Sequence, residues 1–155
     1  MRLIMKSQKA ESSTDERSPF QRILVTGSTG FLGHHVMPRL REAFPGAELI
    51  GLGRRDFDLL EPGAPAAMLR QIRPDCVVHM AAKSGGIITN QKRPADFFYD
   101  NLAMNLHVFH ESWKAGVKKL VTFMGGCSYP ADARSPIGED QMWKGYPQIE
   151  SAGYS

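Results

Sequence analysis

Short apolar runs alternate along this chain with longer segments in which apolar residues recur every three or four positions. The short runs predict β-strands at residues 23–26, 47–52, 76–80 and 119–124. The longer segments predict α-helices at residues 31–44, 65–72 and 95–115. Alternation of this kind predicts an α/β fold, a doubly wound parallel sheet of the Rossmann type with right-handed crossovers. Ligands of such sheets bind beyond the carboxyl ends of the strands.

Two features lie outside this simple pattern. Residues 1–20 are mostly polar and are expected to form a disordered tail, which leaves residues 21–155 as one folded domain. Pro38 falls inside the first predicted helix, where it removes one backbone hydrogen bond, so we expect a bend or a later helix start.

Composition narrows the class of protein. A chain of 155 residues, 42% apolar and 23% charged, is typical of one globular domain. The formal charge of +3 is spread without a basic stripe, so we expect no nucleic-acid partner. No segment approaches the roughly 20 apolar residues of a membrane span, and the apolar start is too short for a signal peptide. We therefore expect a cytoplasmic protein without a membrane partner, in which Cys76 is a small buried apolar residue.

The clearest motif is the glycine-rich segment T-G-S-T-G-F-L-G, which follows the first strand. Gly27 permits a tight turn, Gly30 permits close approach of the main chain to phosphates, and Gly33 permits close helix packing. The helix that follows presents free N–H groups to an anion. Glycines at this spacing also occur in ordinary turns. The coenzyme-binding residues predicted from this segment are Gly27, Thr29, Gly30, Phe31, Leu32 and Gly33.

Charged residues after the second strand predict which coenzyme is bound. A site for NAD usually has a carboxylate here, whereas this chain has Arg54 and Arg55. Because guanidinium groups bind phosphate by charge and paired N–H donors, we predict NADP(H) rather than NAD, with Arg54 as the main contact. A solvated surface pair is the alternative. Asp58 and Leu59 stand where such folds cover adenine, although an N-cap role for Asp58 is equally compatible.

The third strand and the long helix carry further candidates. Ala81 and Ala82 are small enough for the backbone to lie against a coenzyme, and Lys83 follows them. Asn101 is a poor helix former, so its amide is expected to have a polar task near the site. His79 lies inside a strand and is interpreted as a packed residue. His107 and His110 lack a carboxylate or cysteine partner at ligand spacing, so no metal is predicted.

Together these segments resemble the extended short-chain dehydrogenase/reductases, the NAD-dependent epimerase/dehydratase family, that act on nucleotide sugars. Within that family the likeness is to the GDP-L-fucose synthase group. The most specific segments are A-A-K-S-G-G-I at residues 81–87 and C-S-Y-P at residues 127–130. The resemblance covers residues 22–155, the N-terminal half of such an enzyme, and implies that the C-terminal substrate domain is missing.

The resemblance implies a hydride transfer from NADPH to a keto group of a nucleotide-sugar substrate, together with epimerisation of that sugar. Tyr154 resembles the proton donor, Cys127 resembles an epimerisation acid/base, and Asn101 is grouped with them as a candidate catalytic residue. Gly125 stands where the family has a Ser or Thr hydroxyl, and the family's lysine would lie beyond Ser155. A homodimer is also implied, and we expect this chain alone to be inactive.

Two alternatives remain open at this point. One is a different nucleotide-sugar enzyme, a 4-epimerase or dehydratase that keeps NAD(P)+ tightly bound. The other is a non-catalytic module that binds NADP(H), which the missing hydroxyl at Gly125 would suit.

Overall fold

The computed structural model of this chain describes residues 18–153, in which a four-stranded parallel sheet forms the centre. The strands are β1 (Arg22–Thr26), β2 (Glu48–Leu52), β3 (Cys76–His79) and β4 (Lys119–Thr122). Their order across the sheet is β2-β1-β3-β4. The chain therefore reverses its winding direction between β2 and β3, which confirms the predicted doubly wound α/β fold and places a crevice at the carboxyl ends of β1 and β3.

Four α-helices connect or follow these strands within the described residues. They are α1 (Phe31–Ala43), α2 (Ala64–Ile72), α3 (Ile87–Lys92) and α4 (Pro94–Lys114). The sequence pattern predicts no element between residues 80 and 95, and therefore a loop, whereas the structure has α3 there. The Asn90 side chain stabilises this short helix by donating to the carbonyls of Gly85 and Gly86 at 2.9 and 3.2 Å. Such a local side-chain contact is invisible to periodicity.

Pro38 does not shift the start of α1. The helix begins at Phe31, as predicted, and continues through Pro38 to Ala43. The residue is exposed, so its ring faces solvent rather than the sheet. The predicted later start is therefore wrong, because the glycine turn before Phe31 fixes where the helix begins.

The sheet is covered on both faces by different helices. One face packs against α2 and α4, with Leu24 and Val77 of the sheet against Met68, Leu69 and Val108. The other face packs mainly against α1, and its buried members are Ile23, Val25, Cys76 and Val78. Burial on both faces explains why the two central strands, β1 and β3, are continuous apolar runs. Cys76 is buried, as predicted, and desolvation raises the pKa of its thiol.

The amino end of the sheet is held by Asp75, at the edge opposite the crevice. Its carboxylate pairs with Lys118 at 3.0 Å and accepts from the backbone N–H groups of Gln21 and Arg22 at 2.9 and 3.0 Å. The hydrogen bond from Lys118, followed by those from the backbone, lowers the pKa of this carboxyl. Asp75 thus joins β1 to the segment before β4 and belongs to the framework rather than to the site.

Residues 1–17 of the predicted tail lie outside the described residues. The rest of that segment is packed: the ring of Phe20 lies 6.0 Å from that of Phe44 in an edge-to-face arrangement. Ordered packing therefore begins slightly before residue 21, because Phe20 covers the end of α1. In the part of the chain that is described, no helix combines the length and apolar character needed to cross a membrane.

Candidate functional site

A cavity of about 390 Å³ lies at the carboxyl ends of β1, β2 and β3. Its volume is within the range of small-molecule sites, which is roughly 300–1,000 Å³. Three segments supply most of its wall: the glycine loop (residues 26–33), the post-β2 loop (residues 53–60) and the post-β3 loop (residues 80–86). Met68, Asp100 and Met104 of α2 and α4 close the remaining side. The cavity occupies the crevice that strand order creates.

Two positions of the glycine loop must be glycine, because a side chain would not fit there. Gly27 has a φ of +71°, and a Cβ there would lie 2.7 Å from the backbone nitrogen of Ala81. A Cβ on Gly33 would lie 2.1 Å from the carbonyl oxygen of Ser28. Contacts this short with backbone atoms cannot be relieved by a side-chain movement, so both positions exclude any larger residue. Gly27 lines the cavity, whereas Gly33 packs beneath the loop.

The start of α1 faces this loop with its first-turn amides uncapped. Gly30 is the N-cap, no side chain caps the helix, and no acidic residue lies in the first turn. Free N–H groups at a helix N-terminus, with the positive end of the helix dipole, favour an anion. Gly30 and Thr29 line the cavity, whereas Phe31 and Leu32 do not. The Phe31 side chain is 80% exposed, so any contribution from it to the site comes through its backbone.

The post-β2 loop separates the two arginines that the sequence singled out. Asp56 folds the loop by accepting from the Gly53 N–H at 2.8 Å. In this turn Arg54 lines the cavity, whereas Arg55 is exposed and does not. Leu59 is buried and lines the cavity as well. The structure therefore brings only one of the two guanidinium groups to the site.

Arg54 is paired with Asp58 across the mouth of the cavity. Its Nη2 and Nε lie 3.2 and 3.3 Å from the same carboxylate oxygen, Oδ2. The other oxygen, Oδ1, accepts from the Leu60 N–H at 3.2 Å. Asp58 therefore caps the turn at Leu60 and also holds Arg54, a combination that the sequence did not predict.

Beneath the glycine loop, Thr26 and His79 join the ends of β1 and β3. Thr26 Oγ1 and His79 Nδ1 share a hydrogen bond of 2.7 Å, and the Ala81 N–H lies 3.4 Å from the same hydroxyl oxygen. His79 is 2% exposed, which confirms it as a packed residue. Desolvation lowers the pKa of His79 to about 4, although the Asn105 side chain offsets part of the effect. The ring is therefore neutral at ordinary pH.

The Asn101 side chain joins the post-β3 loop to α4. Its Oδ1 accepts from the Lys83 N–H at 2.8 Å, and its Nδ2 donates to the carbonyls of Lys83 and Phe97, both at 2.9 Å. The Lys83 ammonium pairs with Asp100 and lies 5.6 Å from the centre of the Phe97 ring. The loop that contains Ala81 and Ala82, which both line the cavity, is thereby tied to α4.

All charged side chains that line the cavity are paired. The two cations are Arg54 and Lys83, and the two carboxylates are Asp58 and Asp100. Asp100 was missed at the level of sequence because its partner lies 17 residues away. Thr26 was also missed, although its place as the last residue of β1 gave a usable indication. These four side chains together carry no net charge, and the uncapped amides at the start of α1 add attraction for an anion.

The catalytic candidates lie apart from this cavity or outside the described residues. Cys127 is half-buried in a 3-10 helix, Gly126–Ser128, directly after β4, and it does not line the cavity. Gly125 precedes that helix at φ −73°, a value open to any residue. Tyr154 is not among the residues that the structure describes. His107 Nδ1 donates to the Leu59 carbonyl at 3.2 Å, and no group of three metal-ligating side chains occurs among residues 18–153.

Comparison with known proteins places these features in a family. The model of the NAD dependent epimerase/dehydratase family matches residues 23–151. The chain is similar to GDP-L-fucose synthase of Sinorhizobium fredii, with 36% identity over 125 residues, 81% of this chain and 39% of that relative. It is similar to GDP-L-fucose synthase of Escherichia coli at 31% identity, over the same shares of the two chains. The chain thus spans about 40% of the length of these relatives.

Solved structures show the same likeness. GDP-mannoheptose C4 reductase of Campylobacter jejuni, solved with NADP bound, matches with a TM-score of 0.79 and 28% identity, over 86% of this chain and 42% of that one. A GDP-L-fucose synthetase of Naegleria fowleri bound to NADP matches with a TM-score of 0.77 and 28% identity, over 99% and 44%.

Proposed function

This chain belongs to the NAD dependent epimerase/dehydratase family, and from that premise we propose that it is the NADP(H)-binding part of a nucleotide-sugar epimerase/reductase. The reaction proposed for the whole protein is of the GDP-L-fucose synthase type. In that reaction the carbons on either side of a keto group of a GDP-sugar are epimerised, and the keto group is then reduced. The 155-residue chain alone is proposed to bind coenzyme without completing this reaction.

The observation that carries this proposal is the arrangement of the cavity at the carboxyl ends of β1–β3. A glycine turn that excludes Cβ atoms adjoins an uncapped helix N-terminus, and Arg54 lies at the cavity mouth. Backbone amides suit a diphosphate, and a guanidinium group suits a further phosphate on the ribose. Relatives of this chain were solved with NADP bound, which supports the same coenzyme here.

We assign each segment of the cavity wall to one part of the bound coenzyme. Gly27 and Gly30 let the main chain approach the diphosphate, and Arg54 donates to the 2′-phosphate. Leu59 packs against adenine, and the backbone at Ala81 lies against a ribose. When bound, NADPH supplies the hydride for reduction of a keto group. Asn101 is proposed as a positioning residue, because it fixes the Lys83 backbone and so the shape of this wall.

Proton transfers are proposed for Cys127 and Tyr154. A thiol and a phenol exchange protons at useful rates only where the surroundings move their pKa values toward neutrality. Cys127 follows β4 at the same edge of the sheet as the cavity, which is where a substrate next to the coenzyme would lie. These roles follow from the family resemblance and need the rest of the enzyme.

The partners proposed for the chain are a nucleotide-sugar substrate and a second copy of itself, with no nucleic acid and no membrane. The support for a dimer is an apolar stripe on α4 that is exposed in the single chain. The members of this α4 stripe are Phe98, Leu102, Leu106, Phe109 and Trp113. Their spacing puts them on one face of the helix. We propose the cytoplasm as the location.

Titration of the chain with NADPH and NADH tests the coenzyme proposal. We expect NADPH to bind with a lower Kd than NADH, with bound nicotinamide fluorescence or calorimetry as the measurement. Absence of binding by both coenzymes would contradict the proposal. Mixing the chain with NADPH and a GDP-4-keto-6-deoxy sugar should give no oxidation of NADPH, because the chain spans only about 40% of the length of its relatives.

A further inference from the structure

We propose that Asp58 competes with the coenzyme 2′-phosphate for Arg54, and that this competition limits the preference of the site for NADP(H) over NAD(H). The inference rests on the proposed function, because it assumes that the cavity holds a pyridine coenzyme. It assigns to Asp58 a role in specificity that is separate from any contact with adenine.

The hydrogen bonds of the pair determine which partner moves. Asp58 is anchored, because its Oδ1 accepts from the Leu60 N–H at 3.2 Å within the turn. Its Oδ2 accepts hydrogen bonds from both Nε and Nη2 of Arg54, at 3.3 and 3.2 Å. The Arg54 side chain is 78% exposed and the Asp58 side chain 39% exposed. The guanidinium group is therefore the mobile partner, and a phosphate must draw it from a fixed carboxylate or bind beside that carboxylate.

Both routes weaken binding of a phosphorylated coenzyme. If the ion pair stays intact, the phosphate lies within a few ångströms of Asp58, and the two negative charges repel each other. If the pair breaks, its attraction is lost. The other cation of the cavity, Lys83, is already paired with Asp100 and gives no compensation. NADH has no 2′-phosphate and meets neither cost. For charges as exposed as these, the expected effect is about two- to fivefold in affinity.

Two other roles for Asp58 predict different results. If Asp58 mainly contacts adenine, its loss changes the Kd of NADPH and of NADH by the same factor, because both coenzymes contain adenine. If Asp58 mainly orients Arg54 for the phosphate, its loss raises the Kd of NADPH alone. Competition predicts the opposite sign, with a lower Kd of NADPH and a higher ratio of the NADH Kd to the NADPH Kd.

The test measures the Kd of NADPH and of NADH for the full chain and for Asp58→Asn. An asparagine keeps an oxygen that can accept from the Leu60 N–H, so the turn is retained while the charge is removed. We expect the Kd of NADPH to fall about two- to fivefold relative to that of NADH. In an Arg54→Met background the same substitution should change the ratio of the two Kd values less than it does in the wild type, because only the direct repulsion between Asp58 and the phosphate remains.

Two further variants keep the result interpretable. Glu61→Gln removes a neighbouring exposed carboxylate that does not line the cavity, and it should change the Kd ratio by less than twofold, roughly the effect of a distant charge. Asp58→Ser, which also retains an acceptor for the turn, should reproduce the Asp58→Asn result if that variant folds poorly. The inference would be overturned, with the proposed function intact, if the ratio of the NADH Kd to the NADPH Kd were unchanged or lowered in Asp58→Asn. An equally large change of that ratio in Glu61→Gln would have the same consequence. Failure of the wild-type chain to bind either coenzyme would overturn the proposed function, and the inference with it.

Discussion

At the scale of single residues, the site distinguishes two adjacent arginines that are chemically identical. Arg54 lines the cavity and is held by Asp58, whereas Arg55 is exposed and does not line the cavity. Neighbouring residues commonly face opposite directions, so an R-R pair supplies one contact rather than two. The function of the pair therefore depends on the turn that presents it.

Arg54→Ala should weaken NADPH binding by about tenfold or more, because a charge-assisted contact to phosphate is worth roughly 1.5–3 kcal/mol. The Kd of NADH should change by much less. Arg55→Ala is the matched control, since it removes the same charge one position away and outside the cavity. Titration by nicotinamide fluorescence measures both. Equal losses for the two variants would indicate that only the net charge of the loop matters.

Asn101→Ala should destabilise the chain by about 2 kcal/mol. The side chain makes three hydrogen bonds that join α4 to the post-β3 loop, each worth roughly 1 kcal/mol net, and alanine regains a few tenths through helix propensity. Urea unfolding gives the free energy. Tyr99→Ala, an exposed site on the same helix, serves as control. A loss no greater than that of the control would show that the clamp contributes little.

At the scale of elements, the approach of α1 to β1 depends on glycines that leave no room for a side chain. Gly33 lies in the first turn of the helix, and the carbonyl of Ser28 occupies the space that a Cβ would need. The helix can therefore direct its N-terminus at the cavity only while this position is glycine. Gly27 likewise permits close contact between the glycine loop and the post-β3 loop.

Gly33→Ala should destabilise the fold by about 3 kcal/mol or more, because a backbone contact of 2.1 Å forces the helix away from the loop. NADPH affinity should fall with it. Gly63→Ala is the control: that glycine caps α2 at φ −83°, and a methyl group added there would meet no atom within 4 Å. Its cost should stay below about 1 kcal/mol. Thermal or urea unfolding compares the two, and similar costs would refute the packing argument.

At the scale of the whole molecule, stability should fall between pH 7.5 and pH 5. Burial lowers the pKa of His79 to about 4 from 6.5, so the unfolded chain binds a proton in this range and the folded chain does not. Stability from the neutral ring is therefore present above pH 6.5 and is lost as the pH falls toward 4. The loss between pH 7.5 and 5 is about 2 kcal/mol.

His79→Gln should remove most of this pH dependence when urea unfolding is repeated at pH 7.5, 6 and 5. Glutamine keeps a polar partner for Thr26 and has no group that titrates in this range. His110→Gln, at an exposed position, should retain the dependence of the wild type. A pH dependence that survives in His79→Gln would assign it to other groups.

Association of whole chains should depend on the α4 stripe. Leu106→Glu places a charge at the centre of that exposed apolar face and should convert a dimer to a monomer in sedimentation velocity. Arg39→Glu, at an exposed position on α1, is the control and should leave the dimer intact. A wild-type chain that sediments as a monomer at all concentrations would contradict the proposed homodimer.

The alternation of strands and helices, the glycine loop and the position of Arg54 could all be predicted from the amino-acid sequence. These features are local: periodicity of apolar residues, a glycine spacing, and charged residues after a strand. Parallel strands joined by helices leave few topologies open, so the doubly wound sheet followed from the same pattern. The short helix α3 was missed because its stabilising contacts come from one buried asparagine.

The pairing of the charged and polar groups of the site depends on how the chain folds, and no local pattern predicts it. Lys83 meets Asp100 and Asn101 across 17 and 18 residues, and Thr26 meets His79 across 53, because strand order and helix packing bring those segments together. Arg54 and Asp58 are four residues apart, but that spacing brings side chains together reliably only in helices, and these two lie in a loop. The contact forms in a loop whose turn is closed by Asp56, because hydrogen bonds orient side chains that apolar periodicity leaves undefined.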